Sequence, residues 1–264
     1  MLKNYALDVT LSSSTRSQAI RLLANVFTIS GKDPAVFEEV YKGEIFAKYL
    51  APNSHSASKR NLLMWSYSLD PRPQTAAEIA ASVTDSIMNG PDHDDTELVQ
   101  VSQKLMKEAD AGMPAVLQRD PNYISTISYS NYLLHHAYAN VGIAYYTKDK
   151  SNSYRKEFDD LVEHLKKGSP AEQQYLTSTY LYYAAFAILI DNDTVTAKKQ
   201  LDALASFVNS DPQFDTGNFV VWVRNAPQRK VGAYLDVTSS LFGQLENTSP
   251  DFKSLITKIQ SSGQ

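Results

Sequence analysis

The chain has 264 residues, 43% hydrophobic and 11% aromatic, with ten glycines, eleven prolines, no cysteine and a formal net charge of −4. This apolar content excludes wholesale disorder, and the length can bury a sizeable core in one large domain or two small ones. The missing cysteines exclude disulfides, a thiolate nucleophile and cysteine-ligated zinc or iron–sulfur sites.

The first eight residues hold no continuous apolar run and already include Asp8, so no secretory signal is expected there. Residues 15–29 read as a helix. Ala19, Leu22, Leu23, Val26 and Phe27 recur at three- and four-residue steps behind a serine run that can cap the amino end. Asp33-Pro34 pairs a cap with proline at the first helical position. Val36, Val40, Ile45, Phe46 and Leu50 form the stripe that follows, and Pro52-Asn53-Ser54 stops it. A further helix is expected over 58–69, then a break at Asp70-Pro71-Arg72-Pro73. Residues 75–88 carry Ala76, Ile79, Ala80, Val83 and Ile87 on one face and end at Asn89-Gly90-Pro91. Asp94 or Asp95 caps the next helix, with Leu98, Val101, Leu105 and Ala109 inward; Gly112 and Pro114 then punctuate the chain.

Two long helices follow at 124–146 and 153–166. Gly168-Ser169-Pro170 opens a helix over 171–190, whose apolar core is about half the length needed to span a bilayer. Asp191-Asn192-Asp193 turns into a helix at 194–208. The β-branched and aromatic window 219–223 fits either a strand or a buried helix, and helices at 227–245 and 250–259 close the chain. The pattern predicts an all-α fold of about ten helices, an irregular array of antiparallel pairs. It reads as one continuous domain, with a helical N-terminal section (residues 1–120) and a repeat-like section of helical hairpins (residues 121–264). A cytoplasmic setting without membrane contact is expected.

Tyr138-Ala139-Asn140-Val141-Gly142-Ile143-Ala144-Tyr145 places aromatic, aliphatic, glycine and tyrosine at the offsets of a tetratricopeptide first helix, with Phe158 at the aromatic position of the second. Ala184 and Ala185, then Ala197, Leu201 and Leu204, repeat the arrangement around the 191–193 turn. Residues 124–208 thus resemble tetratricopeptide-like helical repeats. The resemblance implies stacked helix pairs presenting a groove to a protein or peptide. The same frame puts Tyr154 at a small-residue position, so its ring is expected to point elsewhere.

Four sets of residues carry candidate chemistry. Asp92-His93-Asp94-Asp95 offers oxygen and imidazole ligands and resembles the metal motifs of all-α prenyl-diphosphate enzymes. No second acidic motif faces it, which favours helix capping. His135 and His136, adjacent on a helix, point about 100° apart and cannot chelate one metal together; a partner for one of them is possible at Glu163-His164 on the next helix. Neither a nucleophile elbow nor a glycine-rich phosphate loop occurs. Basic pairs at Lys59-Arg60, Arg155-Lys156, Lys166-Lys167 and Lys198-Lys199 are dispersed, as expected for outer helix faces. Trp222, Arg224, Arg229 and Lys230 instead mix aromatic and basic groups in one expected loop suited to phosphate or acidic peptide.

Tyrosine is the fourth set: eleven of sixteen lie between 121 and 190. Tyr175, Tyr182 and Tyr183 fall near one face, with Tyr180 turned away. Such rings suit partner binding or the filling of inter-helix grooves. The expectation is a non-enzymatic scaffold or adaptor needing neither metal nor cofactor, binding a protein or peptide partner. Its contacts would be Tyr138, Tyr145 and Tyr182, with Trp222, Arg224, Arg229 and Lys230. Two alternatives stand beside it: a nucleic-acid-handling or virion-type component contacting phosphate through residues 224–230, and a metal-dependent α-helical enzyme.

Overall fold

A computed structural model describes residues 2–30, 55–89, 96–147, 153–210, 229–231, 235–237 and 239–261. Its helices are α1 (Leu2–Leu7), α2 (Ser13–Ser30), α3 (His55–Leu69), α4 (Pro73–Asn89), α5 (Thr96–Arg119) and α6 (Ile127–Thr147), with a 3-10 turn at Pro121–Ser125. They continue as α7 (Ser153–Lys167), α8 (Pro170–Gln173), α9 (Tyr175–Asp191), α10 (Thr194–Ser210), α11 (Ser239–Thr248) and α12 (Pro250–Ser261). A two-stranded hairpin, β1 (Arg229–Val231) and β2 (Leu235–Val237), precedes α11. The fold is all-α, as the periodicity predicts. The expected segments at 33–50, 92–95 and 219–223 lie outside the described residues. The chain divides into two compact units, Met1–Tyr123 and Ile124–Gln264.

In the first unit α2 packs on α1 and α3, and α4 on α3 and α5. The interior there is built from small side chains. Ala76, Ala77, Ala80 and Ala81 of α4 are wholly buried, and Ser17 Oγ bonds Ser66 Oγ at 2.7 Å across the α2–α3 contact. Two expectations need correcting. Arg60 of the Lys59-Arg60 pair is only 3% exposed rather than on a solvated face, and Leu22 is 52% exposed despite its apolar spacing. In α2 the buried stripe runs through Ser17, Ala19, Ile20 and Ala24 instead.

Gly112 and Pro114 do not end a helix: α5 runs through both. Proline removes one N–H and crowds the carbonyl four residues earlier. Here Pro114 and Asp110 are both exposed, so water can take the released carbonyl. The buried face of α5 is Val99, Ser102, Leu105, Met106, Ala109 and Met113, rotated from the expected one, with Leu98 and Val101 half-buried. Gly112 is required by contact: a Cβ there would sit 2.7 Å from Pro73 Cγ, a rigid ring atom at the start of α4. Gly112→Ala should therefore lower the unfolding free energy by about 1–2 kcal/mol, despite gaining ~1 kcal/mol of helix propensity. Denaturant melts of Gly112→Ala and of Pro73→Ala/Gly112→Ala check this, because removing the ring should recover most of the loss.

In the second unit α6 and α7 are antiparallel, with Ser130 facing His164 at one end and His136 facing Glu157 at the other. Every residue of α9 from 176 to 188 except Ser178 is buried. A helix apolar all round must be covered on all sides. Here α6, α7, α8, α10, α11 and β1 all touch it. α9 turns into α10 through Asn192, the one described non-glycine residue with positive φ (53°), donating its N–H to Ile188 O. Asp193 then caps α10 through Thr196 N at 2.9 Å.

The helix expected over 227–245 is corrected. Residues 229–231 and 235–237 pair as antiparallel strands with Arg229 opposite Val237 and Val231 opposite Leu235, and α11 begins only at Ser239. In sequence, Val231 directly before Gly232, and Val237 six residues on, suit two short strands better than a helix.

Candidate functional site

One set of chemistry-bearing side chains in the second unit lies where α6, α7 and α8 meet. Ser169 caps α8, Pro170 takes its first position, and Glu172 folds back to complete a capping box. Glu172 Oε2 accepts from both the N–H and the hydroxyl of Ser169 at 2.8 Å. Its other oxygen accepts from Ser130 Oγ of α6 at 2.9 Å. His164 Nε2 of α7 lies 3.1 Å from Ser130 Oγ and 3.7 Å from Glu172 Oε1, and the Tyr129 ring meets its edge at 5.3 Å.

Burial pushes the Glu172 carboxyl up, but hydrogen bonds from Ser169 and Ser130 and the nearby His164 outweigh it, leaving Glu172 below its usual range. Burial pushes His164 down, against the pull of Glu172. Serine, histidine and carboxylate together do not make a hydrolytic triad. There the histidine takes the serine proton with the acid behind it. Here the serine gives its proton to the acid directly, and Ser130 is 2% exposed. The cluster locks three helices together.

Two other polar sets tie this unit together. His136 Nδ1 bonds Glu157 Oε2, and Asn140 Nδ2 donates to Glu157 Oε1 at 3.0 Å. For His136 the possible pairing with Glu163-His164 is corrected: it reaches Glu157 instead, while His164 reaches Ser130. At the α9–α10 turn, Arg155 of α7 donates to Asp191 Oδ2 from Nη2 (2.7 Å) and Nε (3.1 Å), and to Asp193 Oδ2 from Nη1 (2.8 Å). Tyr154 OH donates to the same Asp191 oxygen, and burial with this bond raises its phenol well above the ordinary value. The Tyr154 ring points inward, 0% exposed, contrary to the repeat frame.

The tyrosines divide by exposure. Tyr138 is 0% and Tyr182 2% exposed, and the two rings meet edge to face at 4.7 Å. Phe186 lies 5.5 Å from Tyr138, while Phe158 stacks on Tyr183 at 5.1 Å. As partner contacts, Tyr138 and Tyr182 are thus corrected to core: Tyr138 lies on the buried side of α6, and Tyr182 on a helix covered on every side. Tyr180 is buried too. Tyr145, near the end of α6, is 41% exposed.

Trp222 and Arg224 lie outside the described residues. Arg229 and Lys230 stand in β1 rather than in a loop, paired with Val237 and Asp236 of β2. Among the described residues no group of three histidines or carboxylates could hold a metal ion. Two of the expected outward lysines make short ion pairs along their own helices, Lys156 with Asp160 and Lys198 with Asp202, both at 2.5 Å. In the first unit a shallow depression along α5, between Gln100 and Ala111, is lined from that helix alone.

Fold and contacts together define an all-α protein of two helical units with internally satisfied polar junctions. No family model matches the sequence, and neither a curated protein nor a solved structure matches it. No helix among the described residues is long and apolar enough to cross a membrane.

Proposed function

We propose that the chain is a non-enzymatic helical scaffold whose second unit binds a protein or peptide partner, with Tyr145 as one of its contacts. The observation that carries this reading is the contrast within one helix. α6 buries Tyr132 and Tyr138 in the interior and leaves the Tyr145 ring 41% in water. An aromatic ring on a rigid helix offers large contact area at little entropic cost. The polar clusters support the reading by what they are used for: Ser130, His164, Glu172 and Arg155 join helices. The helix pairs α6–α7 and α9–α10, tetratricopeptide-like in sequence, supply the rigid frame behind the contact.

Photo-crosslinking in cells tests this, with benzoylphenylalanine placed at Tyr145 or at exposed Lys199 of α10. A discrete adduct should form from position 145 and not from 199. Tyr145→Ala should then weaken capture of that partner about tenfold, the loss of an aromatic anchor, with an unchanged Tm. Equal labelling from both positions, or none from 145, would overturn the reading.

A further inference from the structure

The junction of α6, α7 and α8 has a hydrogen-bond order that fixes the protonation state of its histidine. The hydroxyl of Ser130 has one proton, and Glu172 Oε1 accepts it at 2.9 Å. Ser130 Oγ is left to accept at 3.1 Å, so His164 Nε2 must carry the donated proton. The nitrogen free to titrate is therefore Nδ1, which finds no acceptor among the described residues. We propose that Ser130, His164 and Glu172 form a proton-sensitive latch, holding α8 against α6 and α7 while His164 is neutral and releasing it when Nδ1 is protonated.

The groups around His164 decide the direction. α6 presents Tyr129 and Ser130, both neutral, and α8 presents the Glu172 carboxylate. On the α9 side, Tyr180 interacts with Lys166 and Glu163 of α7 rather than with the ring. Among the described residues Glu172 is the one opposite charge acting on the ring, at 3.7 Å from Nε2, and its oxygens already take bonds from Ser130 and Ser169. A second proton thus adds a charge to a side chain only 20% exposed without adding a hydrogen bond. Swinging Nδ1 into water relieves this, and the swing pulls Nε2 off Ser130.

Burial already lowers the His164 pKa. For a histidine so depressed the unfolded chain binds more protons, so stability is full above the unfolded value and is lost as pH falls through it towards the folded value. Glu172 stays ionised across that window, because its own pKa is lowered.

Nuclear magnetic resonance on the full chain tests the latch. At pH 7.5 His164 should show the Nε2–H tautomer in its ring-nitrogen couplings, and its Cε1 proton should titrate below the ordinary histidine value of about 6.5. From pH 7 to 5 the exchange protection of the Glu172 and Gln173 amides, both bonded to Ser169 O, should fall roughly tenfold relative to α12 amides after intrinsic correction. In His164→Gln, whose amide can donate but not titrate, that fall should vanish whatever the variant's overall stability. An Nδ1–H tautomer, titration at or above the ordinary value, or α8 protection that does not change as His164 titrates would each overturn the proposal.

Discussion

Replacing Phe158 with alanine should cost the second unit about 3–5 kcal/mol, a large share of the roughly 5–15 kcal/mol that holds a typical domain folded. Phe158 is 0% exposed and its ring lies within 5.1–6.4 Å of Tyr183, Phe186 and Tyr138. Truncation opens a cavity among three rings already held by α6 and α9, so little collapse can fill it. Tyr145→Ala, on the exposed end of α6, should stay within about 0.5 kcal/mol of the parent. Near-ultraviolet circular dichroism through a urea titration compares the two. A Phe158→Ala loss below about 1 kcal/mol would mean that the aromatic cluster is not the core it is described to be.

Arg155→Ala should be the most damaging polar substitution, at about 2–3 kcal/mol. Its guanidinium holds Asp191 and Asp193 together across the α9–α10 turn, and removal leaves two carboxylates, 13% and 23% exposed, facing each other without a cation. That environment lies between a screened surface pair, worth under about 1 kcal/mol, and a fully buried one, at about 3–5. Lysine should not rescue it, because one ammonium cannot reproduce the forked contact. Hydrogen bonds from Thr196, ahead of the Arg155 contact, hold the Asp193 carboxyl below the usual aspartate range. A depressed carboxylate stabilises above its unfolded pKa, and that contribution is lost as pH falls through the folded value. The gap between wild type and Arg155→Ala should therefore narrow below about pH 4. Melts at pH 7 and pH 3 read this, and a gap that holds at pH 3 would argue that lost packing of the Arg155 stem, not charge, explains the cost.

The helices of this chain are legible wherever one face is apolar at helical spacing. Residues 75–88 and 194–208 are examples: Ala76, Ile79, Ala80 and Val83 are buried in α4, and Ala197, Leu201 and Leu204 in α10. Punctuation misleads where the environment is invisible. Pro114 costs a helix least where the carbonyl it frees lies at the surface, and residue 110 is exposed. Exposure is also out of reach. The spacing in α9 assigns Tyr182 a face, but not that every face is covered.

Little of the candidate site can be read from the chain. Ser169-Pro170-Ala171-Glu172 has the pattern of a capping box, and that signal is local. Its extension to Ser130 and His164 depends on register between helices, and 42 positions separate Ser130 from Glu172. Arg155 reads as one of several dispersed basic pairs until the α9–α10 turn brings two aspartates to it. The hairpin at β1 and β2 escapes the pattern because three-residue strands are too short for alternation to stand out.

The enclosure of α9 also bears on how the protein is made. Half of what covers this helix, α6 to α8, precedes it in the chain, while α10, β1 and α11 follow. During synthesis the most apolar stretch of the polypeptide emerges with only its earlier neighbours available, and it cannot be fully shielded until α11 has left the ribosome. For that interval the nascent chain carries a long apolar surface that the finished protein never shows, and it is then that a chaperone would find most to hold.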